Sequence, residues 1–266
     1  MKTQILSKLK DACPWSGMLH LYETVDSTNT LAKSMARSGA PEGTVVIANS
    51  QTGGRGRMGR EFVSQAGMGV YMSVILRPNC SPAQLMHLTC AVGTAMCDAV
   101  ENVTGLRPGI KWINDLIMDG RKVGGILTEL SVDTATGLTE WAVIGIGINC
   151  LQSQDDFPAA LHHIAGSLTM ATGKPVDRAE LSAAMIQALW QLSGVLLTNK
   201  SPIMERYRKD CITLGHAITV HAAQGAYPAF ARDVDPDGSL IIELPDGSRR
   251  TVSSGEVSIR SERGYI

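Results

Sequence analysis

The segment Lys111-Trp112-Ile113-Asn114-Asp115-Leu116-Ile117-Met118-Asp119-Gly120-Arg121-Lys122-Val123-Gly124-Gly125-Ile126-Leu127-Thr128-Glu129 decides the fold. Two apolar runs flank Asp119-Gly120, and Asp-Gly between such runs is a strong hairpin signal. Gly109-Ile110 leads into the first run. Further strand signals lie at 44–48, at 70–76 and at 141–149, where Trp141-Ala142-Val143-Ile144-Gly145-Ile146-Gly147-Ile148-Asn149 completes the set. Helix signals alternate with them. Ser27 can cap a helix over 28–37, with Leu31 and Met35 four apart and Gly39 at its end. Ser81-Pro82-Ala83-Gln84 is a capping box, and Leu85, Leu88, Val92, Met96, Ala99 and Val103 follow it at helical spacing until Gly105. Asp177 and Glu180 open another helix, with Leu181, Met185, Leu189, Leu192 and Leu196 as its apolar face. A short helix is expected over 202–209. The pattern predicts an α+β architecture, a mixed β-sheet packed with helices.

The character changes after Cys211. Short alternating runs at 217–220, 229–234, 239–244, 250–252 and 257–260 are separated by turns such as Asp237-Gly238 and Asp246-Gly247. They predict a small C-terminal β-barrel, with domains at 1–211 and 212–266.

Composition narrows the function. Lys plus Arg number 24 and Asp plus Glu 25, a net charge of −1, which argues against a general nucleic-acid coat protein. With 44% apolar and 18% charged residues, the 266-residue chain is hydrophobic enough to fold rather than stay disordered. It carries no apolar run of the ~18 residues that a membrane span needs, and no signal-peptide pattern at its start. The six cysteines are scattered, without a C-x-x-C pair, and read as reduced thiols in a cytoplasm. The six histidines have no metal-ligand spacing, so no metal site built by the protein alone is expected.

The most informative loop is Gln51-Thr52-Gly53-Gly54-Arg55-Gly56-Arg57-Met58-Gly59-Arg60. Gly54, Gly56 and Gly59 match G-x-G-x-x-G, but that fingerprint needs a helix directly after it, and here Gly67, Gly69 and a β-rich run follow. Walker A fails as well, since Arg60 and Glu61 stand where Lys and Ser/Thr are required. Three guanidinium groups on a glycine-rich backbone instead suit an anionic ligand, over which the loop could fold. A plain surface loop and an Arg-Gly nucleic-acid binder are the alternatives.

Five ordered segments resemble the biotin protein ligases: Asp26-Ser27-Thr28-Asn29, the loop at 53–60, Lys111-Trp112-Ile113-Asn114-Asp115-Leu116, Lys122-Val123-Gly124-Gly125-Ile126-Leu127 and Gly145-Ile146-Gly147-Ile148-Asn149. Gly255-Glu256-Val257-Ser258-Ile259-Arg260 is a weaker sixth. The resemblance implies a class II synthetase-like biotin/lipoate ligase domain with an SH3-like C-terminal barrel. It implies biotin, ATP and Mg²⁺, and a biotin carboxyl carrier protein of a biotin-dependent carboxylase as acceptor partner. Biotin and MgATP would give biotinyl-5′-adenylate, from which the acceptor lysine displaces AMP. Relatives often dimerise, so a homodimer stays open. Only about 26 residues precede Asp26-Ser27-Thr28-Asn29, so the form expected is the one lacking a DNA-binding domain, a cytoplasmic ligase without repressor activity, nucleic-acid partner or membrane partner.

The resemblance also implies roles. Ser27, Thr28 and Gln51 would meet the ureido ring, and Asn29, Gly54, Arg55, Gly56, Arg57, Trp112, Lys122, Gly124 and Gly125 would complete the biotin site. Arg57, Arg60, Phe62, Lys111, Asn114, Lys122 and Asn149 would hold ATP. Arg57, Lys122, Asp115 and Lys111 would be the catalytic set. A carboxylate meeting an α-phosphate costs Coulomb energy, which fixed cations remove. Ser27 could cap a helix, Trp112 could be a core aromatic, and Asp115 could cap a turn instead of serving the acceptor lysine. Gly124-Gly125 would let a flat ligand lie on the strand. Ile113 replaces the Pro of many members, Met58 replaces an Arg, and Phe62 takes a position that is Trp in some. A lipoate or octanoate ligase is the nearest rival reading, and a nucleic-acid-binding module with no enzymatic activity is the second.

Overall fold

Asp119 and Gly120 have φ of 48° and 67°, so both central turn residues are left-handed and the expected hairpin closes in two residues. The computed structural model describes residues 1–9, 13–222, 225–253 and 257–261. The hairpin strands are β5 (Asp115–Met118) and β6 (Arg121–Val132). They join β1 (Leu19–Val25), β2 (Val45–Gln51), β3 (Gly69–Leu76), β4 (Gly109–Lys111) and β7 (Thr139–Asn149) in one sheet of order β1-β2-β3-β7-β6-β5-β4. β1 and β2 are parallel, and the other neighbours are antiparallel. The sheet is therefore mixed, as expected.

Six α-helices lie among the described residues: α1 (Lys2–Lys8), α2 (Thr28–Arg37), α3 (Leu88–Thr104), α4 (Leu168–Thr172), α5 (Arg178–Ser193) and α6 (Lys200–Asp210). The capping box at Ser81 forms, but it starts a 3-10 turn, Pro82–Leu85, and α3 begins beyond it. Gly105, with φ of 75°, ends α3 in the left-handed conformation that glycine adopts at least cost. Asp177 caps α5 through the backbone N–H groups of Ala179 and Glu180. α1, α4 and β1 lie outside the sequence expectations. β1 is an edge strand with mostly exposed side chains, so its sequence carries little apolar alternation.

The two faces of the sheet have different work. On one face Val45, Ile47, Val70, Met72, Val74, Ile144, Ile146 and Ile148 pack against α3 and α5 in the main core. Each such side chain contributes roughly 1.5–3 kcal/mol through burial. On the other face a smaller cluster, Val46, Ile75, Trp141 and Val143, packs against Ala32 and Ala36 of α2. α2 covers only part of that face.

The C-terminal strands are β8 (Ala217–Ala222), β9 (Gly225–Val234), β10 (Leu240–Glu243), β11 (Arg249–Val252) and β12 (Val257–Ser261), in the antiparallel order β11-β10-β9-β8-β12. This is the small SH3-like unit expected. Of the weak sixth segment, Gly255 and Glu256 lie outside the described residues, and 257–260 fall in β12. The unit is tied to the sheet: Trp112 Nε1 donates to Gly238 O at 2.9 Å and Trp112 N to Thr213 Oγ1 at 2.9 Å.

Candidate active site

Strand alternation builds the site. Facing residues on neighbouring strands share a face. Along β7, Ile144, Ile146 and Ile148 point into the main core, so Gly145, Gly147 and Asn149 belong to the opposite face. The ladder partners extend this bare surface sideways. Gly147 faces Tyr71 on β3 and Gly125 on β6, Gly125 faces Asp115 on β5, and Asp115 faces Lys111 on β4. Gly145 faces Ser73 and Leu127. Glycines at the centre and polar side chains at the rim leave a cavity of ≈ 700 Å³, within the ~300–1,000 Å³ range of small-molecule sites.

Simple alternation would put Lys122 on the core face, three residues from Gly125. A β-bulge reverses this. Asp115 pairs with Gly125 and Leu116 with Gly124, but Ile117 pairs with Lys122, so β6 carries one extra residue. The bulge turns Lys122 onto the face of Asp115. Its Nζ lies 2.6 Å from Asp115 Oδ1. The strand-like segment after β7 fixes the bulged backbone: Lys122 N donates to Ile164 O at 2.7 Å and Gly166 N to Lys122 O at 2.9 Å.

The glycine–arginine loop forms the roof. Phe62 N donates to Gly54 O at 2.9 Å and Gly56 N to Arg60 O at 2.7 Å, so the loop folds back on itself. Met58 and Gly59 turn it with φ of 55° and 72°. Arg57 Nη1 donates to Asn114 Oδ1 at 3.0 Å, and Asn114 Nδ2 to Ile126 O at 2.9 Å. The consecutive residues Asn114 and Asp115 thus hold Arg57 and Lys122, and both cations line one cavity. Burial, foremost, pushes the Arg57 guanidinium below its ordinary pKa; Asp115 works against that and Arg60 adds to it. Lys111, only 6% exposed, joins the same lining.

The opposite end is neutral and polar. Ser27, Thr28 and Asn29 are all buried and line the cavity with Gln51. Gln51 Oε1 accepts from Thr28 N at 2.8 Å and from Thr28 Oγ1 at 3.1 Å, and Gln51 Nε2 donates to Ser64 Oγ at 2.7 Å. Ser27 stands at the N-cap of α2 but makes no side-chain capping bond. Trp112 lines the cavity while its indole N–H is held by the C-terminal unit. Phe62 lies against Gly147, where a Cβ would come within 2.5 Å of the ring.

Of the residues named from the sequence, Arg55, Gly56, Arg60, Asn114, Asp115, Gly125 and Asn149 also line this cavity. Two do not. Gly124 falls on the other side of β6, where a Cβ would meet Gly147 O at 2.9 Å, because neighbours on a strand cannot share a face. Gly54 packs against the Phe62 carbonyl and Ser64, so its small size serves the loop's own fold. Asn149 is also less available than expected, since its Nδ2 donates to Gly166 O at 2.9 Å. Sequence reading missed Phe157, Leu161, His163, Ile164 and Ala165, which close one side of the cavity. They carry no periodic signal and are positioned by pairing with Lys122. It also missed Ser73 and Glu129, which lie behind the neutral end.

Comparison with known proteins gives the same direction. Residues 21–149 match the biotin/lipoate A/B protein ligase family and residues 213–260 the biotin protein ligase C terminal domain. The bifunctional ligase/repressor BirA of Bacillus spizizenii is 34% identical over 233 residues, covering 87% of this chain and 71% of that protein. The biotin–[acetyl-CoA-carboxylase] ligase of Paracoccus denitrificans is 32% identical over 238 residues, covering 87% and 96%. The structure of biotin protein ligase from Aquifex aeolicus in complex with biotin and ATP superposes with a TM-score of 0.77 at 27% identity, covering 92% of this chain and 99% of that one.

Proposed function

The chain belongs to the biotin/lipoate A/B protein ligase family, and from that premise we propose that it is a biotin protein ligase acting in two steps within the one cavity. In the first, a carboxylate oxygen of biotin attacks the α-phosphorus of ATP. A P–O bond forms, and pyrophosphate leaves with the electron pair of the bond that breaks. In the second, the ε-amine of an acceptor lysine attacks the acyl carbon of biotinyl-5′-adenylate. An amide forms, AMP leaves, and the amine gives up a proton.

The observation that carries this reading is the convergence of Arg57, Lys111 and Lys122 at one end of a cavity whose other end is neutral and hydrogen-bonding. We assign the three cations to the junction of carboxylate and α-phosphate, where they offset the repulsion of two anions and hold the attack in line. We assign Ser27, Thr28 and Gln51 to the ureido ring, Phe62 and Asn149 to adenine, and Arg60 and Asn114 to the rest of the nucleotide. Asp115 is assigned first to holding Lys122, and second to the acceptor lysine. Among the described residues no three His, Cys, Asp or Glu side chains gather to hold a metal. Mg²⁺ is therefore assigned to the nucleotide itself, where it would neutralise phosphate charge.

The acceptor proposed is the biotin carboxyl carrier domain of a biotin-dependent carboxylase. We place the domain boundary at 212, between α6 and β8. A cytoplasmic location fits six cysteines that are all free and buried. A net charge of −1 offers no surplus of cations for phosphate contacts, and we propose ligase activity without operator binding. A gel shift on biotin-operon operator DNA at stated salt checks that point, and specific retardation would contradict it. Homodimerisation through the open β1 edge completes the reading, and a sedimentation coefficient of a monomer at micromolar protein would remove it. The central test is pyrophosphate exchange into ATP. Exchange should depend on biotin and not on lipoate, and exchange indifferent to biotin would overturn the assignment.

A further inference from the structure

Glu129 has no part in the chemistry above, yet it begins a buried chain of hydrogen bonds that ends at the ligand face. It lies on β6, on the same face as Leu127 and the cavity. Lys33 Nζ sits 2.6 Å from its Oε1, and Asn29 Nδ2 donates to its Oε2 at 3.0 Å. Ser73 Oγ lies 2.6 Å from Asn29 Oδ1 and 2.8 Å from Thr28 Oγ1. Thr28 Oγ1 reaches Gln51 Oε1 at 3.1 Å, and Gln51 Nε2 reaches Ser64 Oγ, which donates to Phe62 O at 2.9 Å. Gly145 makes room for this arrangement, since any side chain there would collide with Asn29 Oδ1.

From this chain we propose that Glu129 is a positioning residue for the ureido ring of biotin, acting through Asn29 and Ser73 to hold Thr28 where its oxygen meets the ligand. The proposal rests on the ligase reading and names how its neutral end discriminates. An ionised carboxylate can only accept. Asn29 must therefore turn its NH₂ toward Glu129, and it also reaches Leu127 O at 3.3 Å. Both amide hydrogens are then spent, and Asn29 Oδ1 faces Ser73 as an acceptor. Ser73 has one hydrogen, and Asn29 takes it. The single hydroxyl hydrogen of Thr28 is drawn inward, to Ser73 or to Gln51. Only its lone pairs are left for the cavity.

A lone pair in a buried site asks for an N–H. A cyclic urea supplies one, whereas a dithiolane ring supplies none. A polar site left without its partner costs far more than a misfit of apolar surface, so this end of the cavity rejects a lipoyl group on hydrogen bonding alone. The charge of Glu129 is maintained by its surroundings. Burial raises its pKa, but the hydrogen bonds from Lys33 and Asn29 outweigh that, with Arg55 adding to them, and the carboxyl titrates below its ordinary value. Arg55 Nη1 stands 3.9 Å from Oε1, so the groups facing this carboxylate come from α2 and from the glycine–arginine loop.

Glu129→Gln keeps the shape and breaks the pairing. With its Oε1 held by Lys33, the glutamine sets its NH₂ against Asn29 Nδ2, and Asn29 cannot turn over without setting its Oδ1 against the Leu127 carbonyl, so Asn29 shifts and takes Ser73 and Thr28 with it. Isothermal titration should then show biotin binding weakened about tenfold or more, the cost of one mispaired buried group, with ATP binding unchanged within about twofold. Ser73→Ala should weaken biotin similarly, and Glu129→Gln should add little in that background, because both cut one chain. If the glutamine variant does not fold, Ser73→Ala must by itself weaken biotin and spare ATP. Full biotin affinity in Glu129→Gln overturns the proposal. So does a Glu129→Gln effect that persists undiminished with Ser73→Ala, since it would run through Arg55 instead. Failure of the wild-type protein to bind biotin would instead refute the ligase reading, and this proposal with it.

Discussion

Lys122→Ala should slow adenylate formation by more than the loss of one cation explains. Removing a preorganised electrostatic donor costs about 10²–10³ in rate. Lys122, however, stands 2.6 Å from Asp115, and the two side chains are only 25% and 14% exposed. Alanine at 122 leaves the Asp115 carboxylate facing the position where two further anions must meet. At roughly 5 Å and an effective dielectric of about 20, one such repulsion is near 3 kcal/mol, another factor of about 10². The rate with Lys122→Ala should therefore fall by about 10⁴–10⁵, and Asp115→Asn in the same chain should restore about 10² of that. Biotin-dependent pyrophosphate exchange reads this step alone. Transfer from preformed biotinyl-adenylate to a carrier domain reads the second step, where Asp115→Asn should give no rescue if the carboxylate takes the proton of the acceptor lysine. A double variant no faster than Lys122→Ala in the exchange assay would show that the pair does not act as one electrostatic unit.

Gly147→Ala and Gly145→Ala should separate the two substrates. The first brings a Cβ within 2.5 Å of the Phe62 ring and should raise the KM for ATP about 5–100-fold at little change for biotin. The second displaces Asn29 and should do the reverse; equal effects on both substrates would contradict the division of the cavity. Arg57→Ala removes the link from the loop to Asn114 and should release adenylate into solution, because a lid protects a reactive intermediate from water. Chromatography of free biotinyl-adenylate checks it, and equal release by the wild type would count against a lid. For Glu129, a depressed folded pKa means its contribution is present above the unfolded value near ~4.3 and is lost as pH falls through the folded one. The Tm gap between wild type and Glu129→Gln should be constant at neutral pH and close only as pH falls below the unfolded value and through the folded one, whereas widening toward acid would reverse the sign of the argument.

The legible parts of the sequence were those where local pattern and final structure obey the same rule. Asp119-Gly120, the Asp177 cap and the Gly105 stop are local events, and each forms as its residues predict. Site residues on regular strands were legible through the ordered motifs, because Lys111, Asp115, Gly125 and Asn149 repeat at positions that alternation keeps on one face. Lys122 reaches that face only because β6 bulges, and nothing in Arg121-Lys122-Val123-Gly124 announces an extra residue. Gly124 and Gly125 looked alike as a pair, yet only one can face a ligand. Glu129 and Ser73 were invisible for another reason: their role is to orient Asn29 and Thr28, 44 and more residues away in sequence. The segment 157–165 has no strand pattern, since its end is held by the backbone of Lys122 and its middle by the bond between His162 Nε2 and Phe157 O at 2.8 Å.

The same strands thus carry stability and chemistry on opposite faces, and parity along the chain separates the two. On β7 the isoleucines hold the core while the intervening glycines form the cavity floor, so a glycine there is not a weak point of the strand. Its lost side-chain burial is compensated on the far face, where Ile144, Ile146 and Ile148 are all but fully buried. The bulge at Lys122 breaks this parity, and it supplies a charged residue from what would have been a core position. Val123, the residue beside it, is fully buried, so the main core anchors the backbone on which the ammonium stands. Trp112 completes the logic from the other direction. Trp112 lines the cavity but its indole is fastened to Gly238 of the C-terminal unit, so that small domain acts on the site by holding an aromatic wall in position, and none of its described residues lines the cavity.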